Sequence, residues 1–412
     1  MKNVTEKLFL FLIPLLFTFP IFKESISSSI VILIILNTIV YHLVRKKRPI
    51  ISWPILLLTI PFWIIVFHSL LANKLVENET PVRHALFFLT IPICFSLIPT
   101  TFFSKEKLHF YLAILKNICL LIGLIYLVGF FLHHDFKELF VVFQNVSSFR
   151  NYVYNDFKII QIHPTYYTSI LVFCSVYCFD CFLKQKKYFD LFYIFFFLLI
   201  SFLLLSKLNI LFLVVCLLGM QLFRSDTNFR KKILLTSGLI VFIGTLAVFT
   251  PGIKDRFNEV FTSLKKQPLR EDYDSTNIRK AIFDCSISLI KSDCVFGVGF
   301  NNIQDRLNTC YQENYYSNFY YENQYMTHNY FFYILISSGL FGFLFFMLYV
   351  LQIVRVAFQI RCFVFSVFLI NILLMSLIED FMYRHYGGLF FNVILLLFIR
   401  HHEHLKTAVA QK

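Results

Sequence analysis

Residues 326–354 read MTHNYFFYILISSGLFGFLFFMLYVLQIV. Before them lies a long polar, tyrosine-rich segment. After Asn329 the chain becomes an apolar block that carries Gly339 and Gly342. About 20 predominantly apolar residues are what a helix needs to cross a hydrocarbon core of roughly 30 Å. His328 therefore stands at the lip of a membrane helix and faces a large watery loop. That is a position for chemistry on a membrane-bound substrate.

The same apolar pattern extends over the chain. Of 412 residues, 58% are hydrophobic and 54 are Phe, well above the roughly 45–50% apolar content of soluble domains. The blocks predict twelve helices, at approximately 8–22, 28–44, 50–71, 82–103, 108–132, 163–183, 188–205, 208–223, 233–250, 328–354, 361–380 and 387–400. The fold class is all-α, a polytopic membrane protein. The first block lacks a small-residue cleavage site and many spans follow it, so it reads as a helix and not as a cleavable signal.

Basic clusters test this count. Arg45-Lys46-Lys47-Arg48, Lys105 with Lys107, Lys184 with Lys186-Lys187, Arg224 with Arg230-Lys231-Lys232, Arg355 with Arg361, and Arg400 fall on alternate loops. The positive-inside rule makes that side cytoplasmic. Both termini are then cytoplasmic, in a multi-pass membrane protein. The net charge of +14 is not a nucleic-acid footprint, because the basic residues form no continuous stripe. Membrane lipid is the partner this distribution implies.

The expected organisation is five helices over 1–132, a first periplasmic loop over 133–162, helices six to nine over 163–250, a large periplasmic loop over 251–327 between helices nine and ten, three helices over 328–400, and a cytoplasmic tail over 401–412. The large loop, about 77 residues, is too long for a mere connection. Within it, Ile278, Ala281, Ile282, Ile287, Leu289 and Ile290 have helical spacing, so a helix is expected over 277–292.

Cys174, Cys178 and Cys181 share one helix face, but no His or carboxylate completes a tetrahedral set there, so they read as small core residues. Cys285, Cys294 and Cys310 lie in the large loop. A disulfide among them fits an extracytoplasmic location, and their odd number leaves at least one unpaired within the loop.

The stretch from His328 to Leu335, with Gly339 and Gly342 following, resembles the His-Asn/Ser start of the helix after the large periplasmic loop in the O-antigen ligase family. Further motifs follow in the family's order over roughly residues 160–400. Leu204-Leu205-Ser206-Lys207 resembles its Ser-Arg turn, with lysine in place of arginine; lysine keeps the charge but loses the bidentate fork. Arg279 and then Phe296-Gly297-Val298-Gly299-Phe300 resemble its arginine helix and Gly-x-Gly pair. Leu377-Ile378-Glu379-Asp380, followed by Gly387-Gly388, resembles its late acidic helix end. The resemblance implies a fold of the glycosyltransferase C kind and a place in a bacterial inner (plasma) membrane. It also implies transfer of a glycan from an undecaprenyl-diphosphate carrier to a hydroxyl acceptor: a lipid A core sugar, a growing glycan or a protein.

Such a displacement needs cations for the departing diphosphate and a base near the acceptor hydroxyl. It requires neither a metal nor a cofactor. Arg279 is the candidate phosphate clamp, through two guanidinium N–H groups; otherwise it is a solvated charge on the loop helix. Lys207 is a second cation, or a lysine snorkelling at the membrane surface. Arg256 and Arg150 are further substrate-binding candidates, although any long polar loop carries arginines. His328, with an ordinary pKa near 6.5, activates or orients the acceptor; the structural alternative is an interfacial helix start. Asn329 orients it or the substrate. Glu379 and Asp380 are acidic groups at a membrane helix end, where such residues are costly and often functional.

Tyr311, Tyr315, Tyr316, Tyr320, Tyr321 and Tyr325 offer stacking platforms for sugars, or else interfacial aromatics. Gly297-x-Gly299 lacks the third glycine and the strand context of a nucleotide fingerprint, and reads as a tight backbone turn. His401-His402-Glu403-His404 reads as a solvated tail. A twelve-helix transporter or lipid-linked glycan flippase is the competing class. It would show two related halves, whereas no internal repeat is visible and the dominant loop after the ninth helix breaks a six-plus-six symmetry.

Overall fold

The computed structural model describes residues 2–46, 50–71, 77–143, 146–224, 275–315 and 319–410, with isolated helical positions between 233 and 245. Helices dominate. In chain order they are α1 (Lys2–Leu16), α2 (Glu24–Arg45), α3 (Trp53–Leu57), α4 (Ile60–Leu71), α5 (Glu79–Leu97), α6 (Lys105–His133), α7 (Ser148–Asn151), α8 (Pro164–Gln185), α9 (Phe189–Leu203), α10 (Lys207–Arg224), α11 (Ser275–Ser292), α12 (Ile303–Tyr315), α13 (Phe319–Asn323), α14 (Tyr330–Ile360), α15 (Phe363–Ser376) and α16 (His385–Ala410). A hairpin of two-residue strands, β1 (Val142–Phe143) and β2 (Val146–Ser147), pairs Val142 with Ser147 and Phe143 with Val146.

Five described helices are long and apolar enough to cross a membrane: α2, α5, α6, α8 and α14. Four shorter apolar helices, Ile60–Leu71, Phe189–Leu203, Lys207–Leu222 and Phe363–Ser376, accompany them. Of the expected ninth block, 233–250, residues 233, 236–238, 240–241 and 244–245 are described, and they are helical. The final helix continues through 401–410, because no breaker interrupts its pattern; His401 there caps Phe103 O at 2.9 Å.

Burial sorts the bundle into an inner and an outer set. Almost every residue of α8 from Pro164 to Phe182 is buried, and so is α16 from Tyr386 to Arg400. These two helices form the centre. In α14, by contrast, Leu340, Phe341, Leu344, Phe345 and Leu348 lie on one exposed stripe at helical spacing, as do Ile32, Leu33, Leu36 and Ile39 of α2. Apolar stripes facing outward from a packed bundle are lipid-facing surfaces. Three helix ends carry basic residues in the left-handed conformation, namely Lys46 after α2, Lys186 after α8 and Arg361 after α14. A cation there complements the helix dipole.

Polar contacts lock α8 to its neighbours near the start of α10. Thr168 donates to Ser206 Oγ at 2.9 Å, and Asn209 Nδ2 donates to Thr168 Oγ1 at 2.8 Å. Asn371 on α15 donates to Asn209 Oδ1 at 3.3 Å and accepts from Ser169 at 2.6 Å. All five side chains are buried. Each would cost free energy if left unpaired, so the network fixes three helices in one register.

The helix that opens the sequence reading is not continuous. At Gly339 the backbone leaves helical geometry (φ 64°, ψ −169°) and divides α14 into two halves. The freed groups are satisfied by the Gly-x-Gly segment: Val298 N–H donates to Ile336 O at 2.8 Å, Gly299 N–H to Ser337 O at 3.0 Å, and Leu340 N–H to Cys294 O at 2.8 Å. The two backbones touch. A Cβ on Gly339 would lie 2.1 Å from Val295 O, and one on Gly297 (φ 73°) would lie 2.5 Å from Gly339 N. Gly297 thus permits a turn, as expected, and also this approach. His68 at the end of α4 secures the segment from the other side, its Nε2 lying 3.0 Å from Phe296 O.

The loop region 275–329 is itself packed. Cys285 on α11 and Cys310 on α12 form a disulfide (Cα–Cα 5.8 Å), and Cys294 is a free, exposed thiol. Tyr311 and Tyr320 stack on each other at 4.8 Å and are buried, so these two are packing residues of the loop core. Tyr316 lies outside the described residues.

If the backbone contact holds the two halves of α14, Gly339→Val and Gly297→Val each destabilise the fold by on the order of 3 kcal/mol through overpacking and left-handed strain, and so lower the thermal unfolding midpoint in detergent. Gly219→Ala, where no atom lies within 4 Å of the added Cβ, leaves it unchanged. A wild-type midpoint for Gly339→Val contradicts the close approach.

Candidate functional site

The break in α14 positions a nine-residue half-helix whose first turn starts at the polar lip. Asn329 is its N-cap: its Oδ1 accepts from Phe331 N at 3.0 Å and Phe332 N at 3.1 Å. Asp380, in the turn that follows α15, prepares the residues just before it. Its Oδ1 accepts from the Thr327 hydroxyl at 2.6 Å and its Oδ2 from the His328 backbone N–H at 3.1 Å. His328 consequently sits at φ 43°, a left-handed conformation costing roughly 1–3 kcal/mol for a non-glycine residue. Asp380 and Thr327 are buried, so these charge-assisted bonds are well placed to hold the strain.

The neighbouring carboxylate, Glu379, joins three distant parts of the sequence. Its Oε2 lies 3.0 Å from His328 Nδ1 and its Oε1 3.2 Å from Arg279 Nη2. The Glu379 side chain is 16% exposed, against 31% for His328 and 54% for Arg279. A carboxylate at Nδ1 favours the proton there and leaves the lone pair on Nε2, the arrangement of a histidine poised to accept a proton.

Electrostatics follow from this contact. Burial works against the Glu379 charge, but the His328 hydrogen bond and charge, with Arg279 behind them, overcome it and hold its pKa down at about 2. Burial likewise opposes a charged His328, yet Glu379 first and Asp380 second raise its pKa above the ordinary value. Asp380 is shifted upward by its burial.

Arg150 and Lys207 both adjoin the turn between α9 and α10. Arg150 on α7 donates from Nη1 to Leu204 O at 2.6 Å, and Ser147 donates to Leu203 O at 2.8 Å. The hairpin and α7 therefore grip the end of α9, three residues before Lys207, which is exposed at the first position of α10. Arg256 lies outside the described residues.

Sequence reading did not single out His163. It caps α8, with Nδ1 accepting from Thr165 N at 3.2 Å, so its proton resides on Nε2. Burial, and then the Arg150 charge, lower its pKa to about 4, while Glu379 acts in the opposite direction. A neutral, donating imidazole thus lies within electrostatic reach of Arg150, Glu379, Arg384 and His328. Arg384, exposed in the turn after Asp380, was also not singled out. His163-Pro164 before an apolar run is a legible helix start, but it carries no sign of function.

The residues so assembled comprise a histidine, a carboxylate bound to its Nδ1, and an arginine on the other oxygen of that carboxylate. They suit deprotonation of a hydroxyl beside a phosphate-bearing group. Residues 192–347, from within α9 to beyond the Gly339 break in α14, match the family model described as O-antigen ligase. The match includes Lys207, Arg279, Gly297, Gly299, Gly339 and His328, and stops short of Glu379, Arg150 and His163. No curated protein matches the chain. The family implies a glycosyltransferase-type function with lipid-linked glycan partners, in agreement with the apolar helices of a multi-pass bacterial membrane protein and with a place in lipopolysaccharide biosynthesis. The match over residues 192–347 supports the resemblance of this chain to the O-antigen ligase family.

Proposed function

We propose that the protein is an inverting, metal-independent glycosyltransferase that moves a glycan from an undecaprenyl-diphosphate carrier to a hydroxyl acceptor. O-antigen ligase-type transfer to a lipid A core sugar is the favoured reaction. The observation that carries this reading is the shared Glu379 carboxylate, which holds His328 through Nδ1 and Arg279 through Nη2.

In this mechanism the acceptor hydroxyl attacks the anomeric carbon on the face opposite the diphosphate. The new C–O bond forms as the bond to the diphosphate oxygen breaks, and the electron pair leaves with the phosphate. His328 Nε2 takes the hydroxyl proton. A single displacement inverts the anomeric centre. Arg279 stabilises the departing charge, and Lys207 and Arg150 supply further positive charge from the α9–α10 turn. Asn329 maintains the helix start behind His328. The Cys285–Cys310 disulfide supports an extracytoplasmic setting for the loop region, where carrier-linked glycans are consumed.

His328→Ala in purified, reconstituted protein should reduce glycan transfer by about 10²–10⁴-fold with folding unchanged by thermal unfolding. Full activity in that variant removes His328 from the mechanism. In cells lacking the protein, carrier-linked chains accumulating with none on lipid A indicates ligase action, whereas single-repeat capping indicates polymerisation.

The rate should also fall as the pH drops through the raised His328 pKa, since protonated imidazole cannot accept a proton. Glu379→Gln removes the charge that favours imidazolium, so the acid limb of kcat/KM moves to lower pH. A limb that stays in place separates Glu379 from the titration of His328.

A further inference from the structure

At the end of the bundle opposite Glu379 lies a cavity of about 800 Å³, formed between the last turns of α14 and α16. Its lining on α14 begins at Leu351, well beyond the Gly339 break that separates it from the half-helix at Tyr330. Its walls divide by chemistry. Leu351 and Phe358, 60% and 76% exposed, form an outward apolar side. Arg355, Arg361, His402 and Lys406 form the polar side.

No Asp or Glu lines this cavity among the described residues. The nearby acid Glu403 is engaged by Arg400. His402 Nε2 is closed to solvent and has no hydrogen-bond partner among the described residues. A concentration of cations with no acid in the lining among the described residues, an imidazole nitrogen without a partner among them and an adjoining lipid-facing apolar wall call for an anion attached to hydrocarbon.

We infer that this cavity binds the headgroup phosphate of an anionic phospholipid, with the first acyl carbons lying along Leu351 and Phe358. Arg361, the left-handed C-cap of α14, is held at the cavity mouth by its backbone bond to Ala357 O at 3.1 Å. The inference is independent of the transfer reaction.

Native mass spectrometry of the full-length protein in detergent, with added phosphatidylglycerol or phosphatidylcholine, provides the test. The wild type should retain phosphatidylglycerol at least fivefold more than phosphatidylcholine. Arg355→Gln/Arg361→Gln/Lys406→Gln should bring that ratio to about one. Arg355→Lys/Arg361→Lys should keep most of it, and Lys184→Gln/Lys186→Gln/Lys187→Gln should leave it intact; both control for folding and for non-specific charge. Equal retention by the wild type and the triple Gln variant overturns the inference. Displacement of the lipid by millimolar inorganic phosphate also overturns it, in favour of a free-phosphate site.

Discussion

One carboxylate organises the site. Glu379 is largely removed from water, and a buried carboxylate is costly unless it is paired and hydrogen-bonded. It meets that requirement with two partners, His328 and Arg279, that come from different parts of the chain. The contact therefore does two things at once. It stabilises a charge that the fold has desolvated, and it fixes the tautomer of the histidine and the position of the arginine. Neither function survives if the turn after α15 moves, which gives Asp380, with its bonds to Thr327 and the His328 backbone, its structural weight.

The turn is steady because the elements around it are. The Gly297–Gly339 approach ties the loop region directly to the backbone of α14, so α11, which carries Arg279, is referenced to the same helix that presents His328. The disulfide joins α11 to α12, and the buried Thr168–Asn209–Asn371 network holds α8, α10 and α15 in register. Discontinuous helices also occur in transporters, where half-helix ends line substrate sites. Here the break serves a different arrangement: the freed carbonyls are taken up by a loop segment of the same chain, and the half-helix start is capped by Asn329.

Much of the architecture was legible because lipid imposes long apolar runs, and helical periodicity marks α11 even within the polar loop. His328, Arg279 and Glu379 were legible as individuals, by residue type and by their place at helix ends. Their convergence was not. Glu379 and Arg279 are 100 residues apart, and no local pattern encodes that pairing. The break at Gly339 was hidden, since one glycine in an apolar run reads as an ordinary helical residue until a second backbone is seen to approach it. The pairing of Cys285 with Cys310 was open among three cysteines, and His163 was concealed by its ordinary role as a helix cap. The residues 401–404 read as a tail because their polarity outweighed their helical continuity.

The most direct measurement is a cryo-electron microscopy structure of the protein with an undecaprenyl-diphosphate-linked sugar bound. The account predicts the diphosphate within hydrogen-bond reach of Arg279, with His328 still held through Nδ1 by Glu379 and its Nε2 turned toward the sugar. A donor bound with its diphosphate away from Arg279, Glu379 and His328 would contradict it.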